Sequence, residues 1–257
     1  MVPVSGVVVE TSGDMVIPLY DNDPFEARFR PYVTWSLIAL NLLAFFGELA
    51  SPDTDAFTVR WGVVPATITD APGGVAPLQA YGTLFTGMFL HGGWLHLILN
   101  MWMLWLFGPA IEDRLGHGRF LLFYLGCGIA ASLAQMASDP ASEVPALGAS
   151  GAIAGILGCT MSLFPLSRVI VVVPILFLPL FFEVHAVVFI GLWFVLQVLQ
   201  GAISLLSPSE GGVAWWAHIG GFLTGLLIGP MLHRPERGYR IYQPDEGILG
   251  FDTIGRR

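Results

Sequence analysis

Six stretches of this chain are apolar and close to the length a helix needs to cross a bilayer: Val33–Ala50, Gly92–Ile111, Phe120–Met136, Gly148–Phe164, Ala186–Leu206 and Val213–Leu232. A spanning helix takes about 20 mostly apolar residues, within a range of about 17–25. In hydrocarbon every backbone polar group must find its partner inside the protein, so such runs fold as helices packed side by side. The predicted fold is an all-α polytopic bundle of six transmembrane helices over residues 33–232, with 1–32 and 233–257 lying outside it. Composition points the same way. Of the 257 residues 54% are hydrophobic and 12% charged, where a soluble domain carries about 25% charged residues.

A seventh apolar run, Val169–Phe182, is short, rich in β-branched residues and broken by Pro174 and Pro179. It reads as an interfacial or re-entrant hairpin. Arginine placement supports six spans. Arg28, Arg30, Arg114, Arg119, Arg168, Arg234, Arg237, Arg240, Arg256 and Arg257 all fall on one side of a six-span chain, and Arg60 alone falls on the other. Basic residues mark the cytoplasmic side. The expectation is a multi-pass protein of the cell membrane with both termini cytoplasmic. A seventh span would send the five C-terminal arginines outside.

The remaining segments constrain less. The first 32 residues carry Glu10, Asp14, Asp21, Asp23 and Glu26 and no early apolar core, so no cleavable signal is expected. Met15 is a second possible start. The connection from Ser51 to about Leu90 mixes acids with Trp61, Phe85 and Phe89, which suits an outer loop or one lying partly in the interface. Cys127 and Cys159 sit in apolar segments without CxxC spacing and read as buried apolar residues. No basic cluster interleaves with aromatics, so nucleic-acid binding is unsupported.

Chemistry must come from the few polar groups inside the spans, since such groups are costly in lipid and mark function or a satisfied contact. His96 and Asn100 lie in the second span, Ser150 opens the fourth, and His218 is near the start of the sixth. Even-numbered spans all begin on the outer side, so these four residues share one leaflet. Asn100 falls roughly 12 Å along its span and His218 roughly 8 Å, at about 1.5 Å per residue. The i, i+4 spacing puts His96 and Asn100 on one helix face. His91, five residues before His96, reads as structural or interfacial. Gly151 and Gly155, with Gly221, Gly225 and Gly229, allow the fourth and sixth helices to pack closely. Taken singly, each residue has a plainer explanation: a serine in an apolar helix is usually a packing residue, and a lone histidine a satisfied core one. The conjunction in one leaflet outweighs those explanations.

A serine hydroxyl becomes a nucleophile when a neighbouring base takes its proton, and His218 is the candidate base. A helix N-terminus at Ser150 would offer backbone N–H groups to a developing oxyanion, with His96 and Asn100 as further donors. No Asp or Glu is placed to orient His218, so a dyad is expected and not a triad. There is no HExxH for a zinc site, no pair of aspartates within the spans, and no GxSxG elbow around Ser150.

These residues resemble the rhomboid family of intramembrane serine proteases. The resemblance rests on Gly148-Ala149-Ser150-Gly151, on Ala217-His218-Ile219-Gly220-Gly221, on His91-Gly92-Gly93-Trp94-Leu95-His96-Leu97-Ile98-Leu99-Asn100, and on Gly108, Glu112 and Gly116 closing the second span. It implies Ser150 as nucleophile and His218 as base. His96, Asn100 and the Ser150 N–H would form the oxyanion hole, with Gly148, Gly151 and Gly221 in support. No metal or cofactor is implied. Glu112 and Arg114 would be structural. Single-span membrane proteins would be the substrates, cut near the outer surface, with the fifth helix and Trp193 as a gate. Many rhomboids carry an aromatic four residues after the serine, packed on the histidine. Here that position is Ala154, which implies that His218 is either held by another ring, such as Trp215 or Trp216, or less ordered. A non-catalytic rhomboid-like escort would typically lack the serine or histidine, and a transporter would want a polar path through both leaflets.

Overall fold

The structure, a computed structural model, describes residues 29–71, 76–175, 178–206 and 213–233, with backbone alone at 172–175 and 178–181. The expected tail, most of the N-terminal segment, and Arg28, Arg234, Arg237, Arg240, Arg256 and Arg257 lie outside the described residues. Among the described residues five helices are long and apolar enough to cross a membrane. They are α1 (Tyr32–Leu49), α5 (Trp94–Leu115), α6 (His117–Ser138), α8 (Ala186–Leu206) and α9 (Trp215–Leu232). The fourth expected span is a shorter helix, α7 (Ser150–Leu163), of 14 residues. At about 1.5 Å per residue it is roughly 21 Å long, less than the roughly 30 Å hydrocarbon thickness. Every residue from Gly151 to Thr160 in it is buried. The helix lies inside the bundle, so its length need not match the bilayer.

Two regions depart from an all-helical reading. The run at Val169–Phe182 is an antiparallel β-hairpin, β1 (Arg168–Ile175) with β2 (Leu178–His185), paired from Arg168↔His185 to Ile175↔Leu178. Its β-branched content suits that pairing. The outer connection is not a simple loop. It contains α2 (Thr54–Trp61), α3 (Pro65–Thr69), α4 (Leu78–Thr86) and a 3-10 turn at Gly87–Phe89. Asp53 caps α2 by accepting from the Ala56 N–H at 2.9 Å, and Pro65 opens α3.

This connection positions the approach to Ser150. Val63 and Ala146 exchange two backbone hydrogen bonds, at 2.9 and 2.8 Å, and the Gly148 N–H donates to the Gly87 carbonyl at 2.8 Å. At the opposite end, Glu112 is fully buried. One carboxylate oxygen accepts from the Thr34 N–H (2.8 Å) and hydroxyl (2.6 Å), and the other from the Val33 N–H (2.9 Å). A carboxylate of α5 thus caps the first turn of α1, where N–H groups lack intrahelical partners. The His117 ring nitrogen Nδ1 lies 2.5 Å from the same group. A Cβ at Gly108 would stand 2.9 Å from the Thr34 methyl, so the glycine makes room for that threonine. Gly116, with φ of +80°, turns the chain from α5 into α6.

Candidate active site

The α7–α9 contact is made of glycine. A Cβ at Gly221 would collide with the Gly151 carbonyl, one at Gly225 with the Gly155 carbonyl, and one at Gly158 with the Phe222 carbonyl. A Cβ at Gly151 would come within 2.5 Å of the Ala131 side chain on α6. Only hydrogen-sized side chains permit this backbone approach. The approach is what lets a short serine reach across. Ser150 Oγ lies 2.8 Å from His218 Nε2. Ser150 is half-buried at the start of α7, where first-turn N–H groups have no intrahelical acceptor.

Gly148 has φ of +119°, a backbone region that side chains avoid. A Cβ there would also stand 2.8 Å from the His96 ring and 3.7 Å from Ser150 Oγ. His96 therefore packs over the turn that delivers Ser150. Asn100, one helical turn further along α5, is buried, and its Nδ2 has no hydrogen-bond partner among the described residues. A cavity of about 20 Å³ opens beside Ser150, lined by Met88, Leu147, Gly148 and Ala217 among others. That is room for about one water.

His91, just before α5, is fully buried. Its backbone N–H donates to the Glu48 carboxylate of α1 at 3.1 Å, and its ring centroid is 5.1 Å from that of His96. Burial, with the nearby His96 adding to it, pushes the His91 pKa down to about 4, so the ring is neutral. Of the two rings named for His218, Trp215 packs edge-on at 6.3 Å between centroids. Trp193 of α8 adds a second ring at 5.8 Å. Ala154 is fully buried and carries no such ring.

One polar contact has no counterpart in the sequence reading. His218 Nδ1 lies 2.7 Å from the side-chain oxygen Oε1 of Gln197, a buried residue of α8. Among the described residues no carboxylate is hydrogen-bonded to His218, and a carboxamide takes that position. The signal available was a pair of glutamines in a mostly apolar span, Gln197 four residues after Trp193 and Gln200 one turn further on.

Helices of membrane-crossing length thus bring a half-buried serine and a buried histidine into hydrogen-bond contact beside a helix N-terminus. Sequence comparison gives the family. Residues 78–235 match the model of the Rhomboid domain, and the chain belongs to the rhomboid family. It is 38% identical to the rhomboid protease GluP of Bacillus subtilis over 134 residues, covering 51% of this chain and 24% of that protein. It is 37% identical to YdcA of the same bacterium over 131 residues, 51% of this chain and 61% of the relative. RHOMBOID-like protein 5 of Arabidopsis thaliana is 31% identical over 157 residues, 61% of this chain and 46% of the relative. The chain thus covers less than two thirds of the length of each. With its apolar helices, the family makes this a membrane protein.

Proposed function

We propose that this protein is an intramembrane serine endopeptidase of the cell membrane, cutting single-span membrane proteins near the outer surface, with both its termini cytoplasmic. The observation that carries the reading is the 2.8 Å contact between Ser150 Oγ and His218 Nε2 at the half-buried start of α7. Ser150 Oγ attacks the scissile carbonyl while its proton passes to His218 Nε2. The carbonyl oxygen becomes an oxyanion, which accepts hydrogen bonds from the Ser150 N–H, His96 and Asn100. Collapse breaks the C–N bond, and the leaving amine takes the proton from Nε2. Water then attacks the acyl-enzyme, passes its proton through His218 to Ser150 Oγ, and releases the acid. Neither a metal nor a cofactor enters the sequence. Trp193 and α8 form the side through which a substrate helix reaches Ser150.

The test is cleavage of a single-span substrate by the protein in liposomes. Wild type cuts within or beside the transmembrane segment. Ser150→Ala and His218→Ala each lower the rate by at least about 10³-fold. Cleavage retained by either variant contradicts the reading.

A further inference from the structure

The four buried residues of α8 are Ala186, Ile190, Gln197 and Gly201, a stripe along one face of a mostly apolar helix whose other glutamine, Gln200, is exposed. Three of them are small or aliphatic. The fourth is a carboxamide, only 5% exposed. A buried amide is costly unless both ends are satisfied. Here both are. Oε1 is 2.7 Å from His218 Nδ1, and Nε2 donates to the Trp193 carbonyl at 3.2 Å.

The second bond decides what the first can do. Reversing the amide would aim Oε1 at the Trp193 carbonyl, acceptor against acceptor, and Nε2 at the imidazole. The Trp193 carbonyl therefore sets the oxygen toward His218. An oxygen accepts only, so Nδ1 must carry the proton, and the lone pair of the neutral ring is left on Nε2. That is the nitrogen facing Ser150 Oγ. The opposite tautomer would present N–H to the hydroxyl and could not take its proton.

We propose that Gln197 is the positioning residue of a Ser150–His218–Gln197 triad, holding His218 in the tautomer and orientation that accept the serine proton. This rests on the roles given above to Ser150 and His218. Gln197 stays neutral throughout and moves no proton. Its Oε1 keeps the Nδ1–H bond as the ring gains and loses a proton at Nε2. Because the amide belongs to α8 and the imidazole to α9, the triad is complete only while those two helices are in contact.

Three variants and one spectrum test this. Gln197→Met keeps the side-chain length and removes the acceptor, and kcat falls by about 10²-fold with KM within twofold, the loss expected of a misplaced catalytic group. Gln197→Glu restores an acceptor oxygen at the same reach and recovers at least tenfold over Gln197→Met. Gln197→Asn is one methylene too short and behaves like Gln197→Met. Nitrogen-15 spectra of the wild-type His218 ring show the proton on Nδ1. A wild-type ring protonated on Nε2 alone overturns the proposal even if no variant folds. So does a Gln197→Met enzyme with wild-type kcat. If Ser150→Ala abolishes cleavage while Gln197→Met does not, only Gln197 is misassigned. If Ser150→Ala cleaves normally, the dyad itself is wrong.

Discussion

The two helices that meet at His218 are fastened by opposite means. On one side α9 is pressed onto α7 through Gly151, Gly155, Gly158, Gly221 and Gly225, so close that backbone touches backbone. On the other side α8 meets the bundle through a stripe of four buried residues, with Val188, Leu192, Val195, Leu196 and Leu199 facing outward. The first contact cannot open without separating the serine from its histidine. The second can. On the function proposed above, this difference would keep Ser150 and His218 together while a substrate helix entered beside α8.

The largest expected effect comes from filling the fixed contact. Gly225→Val places a branched side chain against the Gly155 carbonyl, which has nowhere to go. It costs more than about 3 kcal/mol and leaves little folded protein, measured by thermal unfolding in detergent. Glu112 tests whether the fixed part extends to α1. Glu112→Ala strands the Val33 and Thr34 N–H groups and the Thr34 hydroxyl, at a cost of about 2–3 kcal/mol. Stability equal to wild type would show that α1 is held mainly by its apolar face.

Hydrogen exchange in a bilayer compares the two contacts directly. Amides in α7 from Gly155 to Thr160 should exchange at least about tenfold more slowly than those of α8, a difference of about 1.4 kcal/mol in local opening. Equal protection would remove the distinction between fixed and movable helices. The smallest effect is the counterpart of the first. The nearest neighbour of a Cβ at Gly191 on α8 is a methionine methyl at 4.0 Å. Gly191→Ala therefore leaves stability unchanged or raises it by up to about 1 kcal/mol, through helix propensity alone.

The helices were legible because bilayer length is a strong constraint. The bounds read for the fifth span, Ala186–Leu206, are those of α8, and the other long helices differ by a few residues at their ends. The glycine contact was legible for a similar reason, since four-residue spacing on two helices has a simple packing consequence. The internal shape of the outer connection was not, although Asp53 and Pro65 are ordinary helix-start signals. Its acids and aromatics show no clean periodicity, and its short helices are held by tertiary bonds such as that between Val63 and Ala146. Gln197 was missed because an orienting group was sought among carboxylates. Its role depends on which way α8 is rotated, and an almost uniformly apolar helix gives little sign of that.

The central claim is that Ser150 is the activated nucleophile and His218 its base. The most direct measurement is labelling of the membrane-embedded protein with a fluorophosphonate, followed by peptide mass spectrometry. One adduct is predicted, on Ser150, formed at a rate that falls to background in His218→Ala. An adduct on any other residue, or equal labelling of Ser150 without His218, would contradict it.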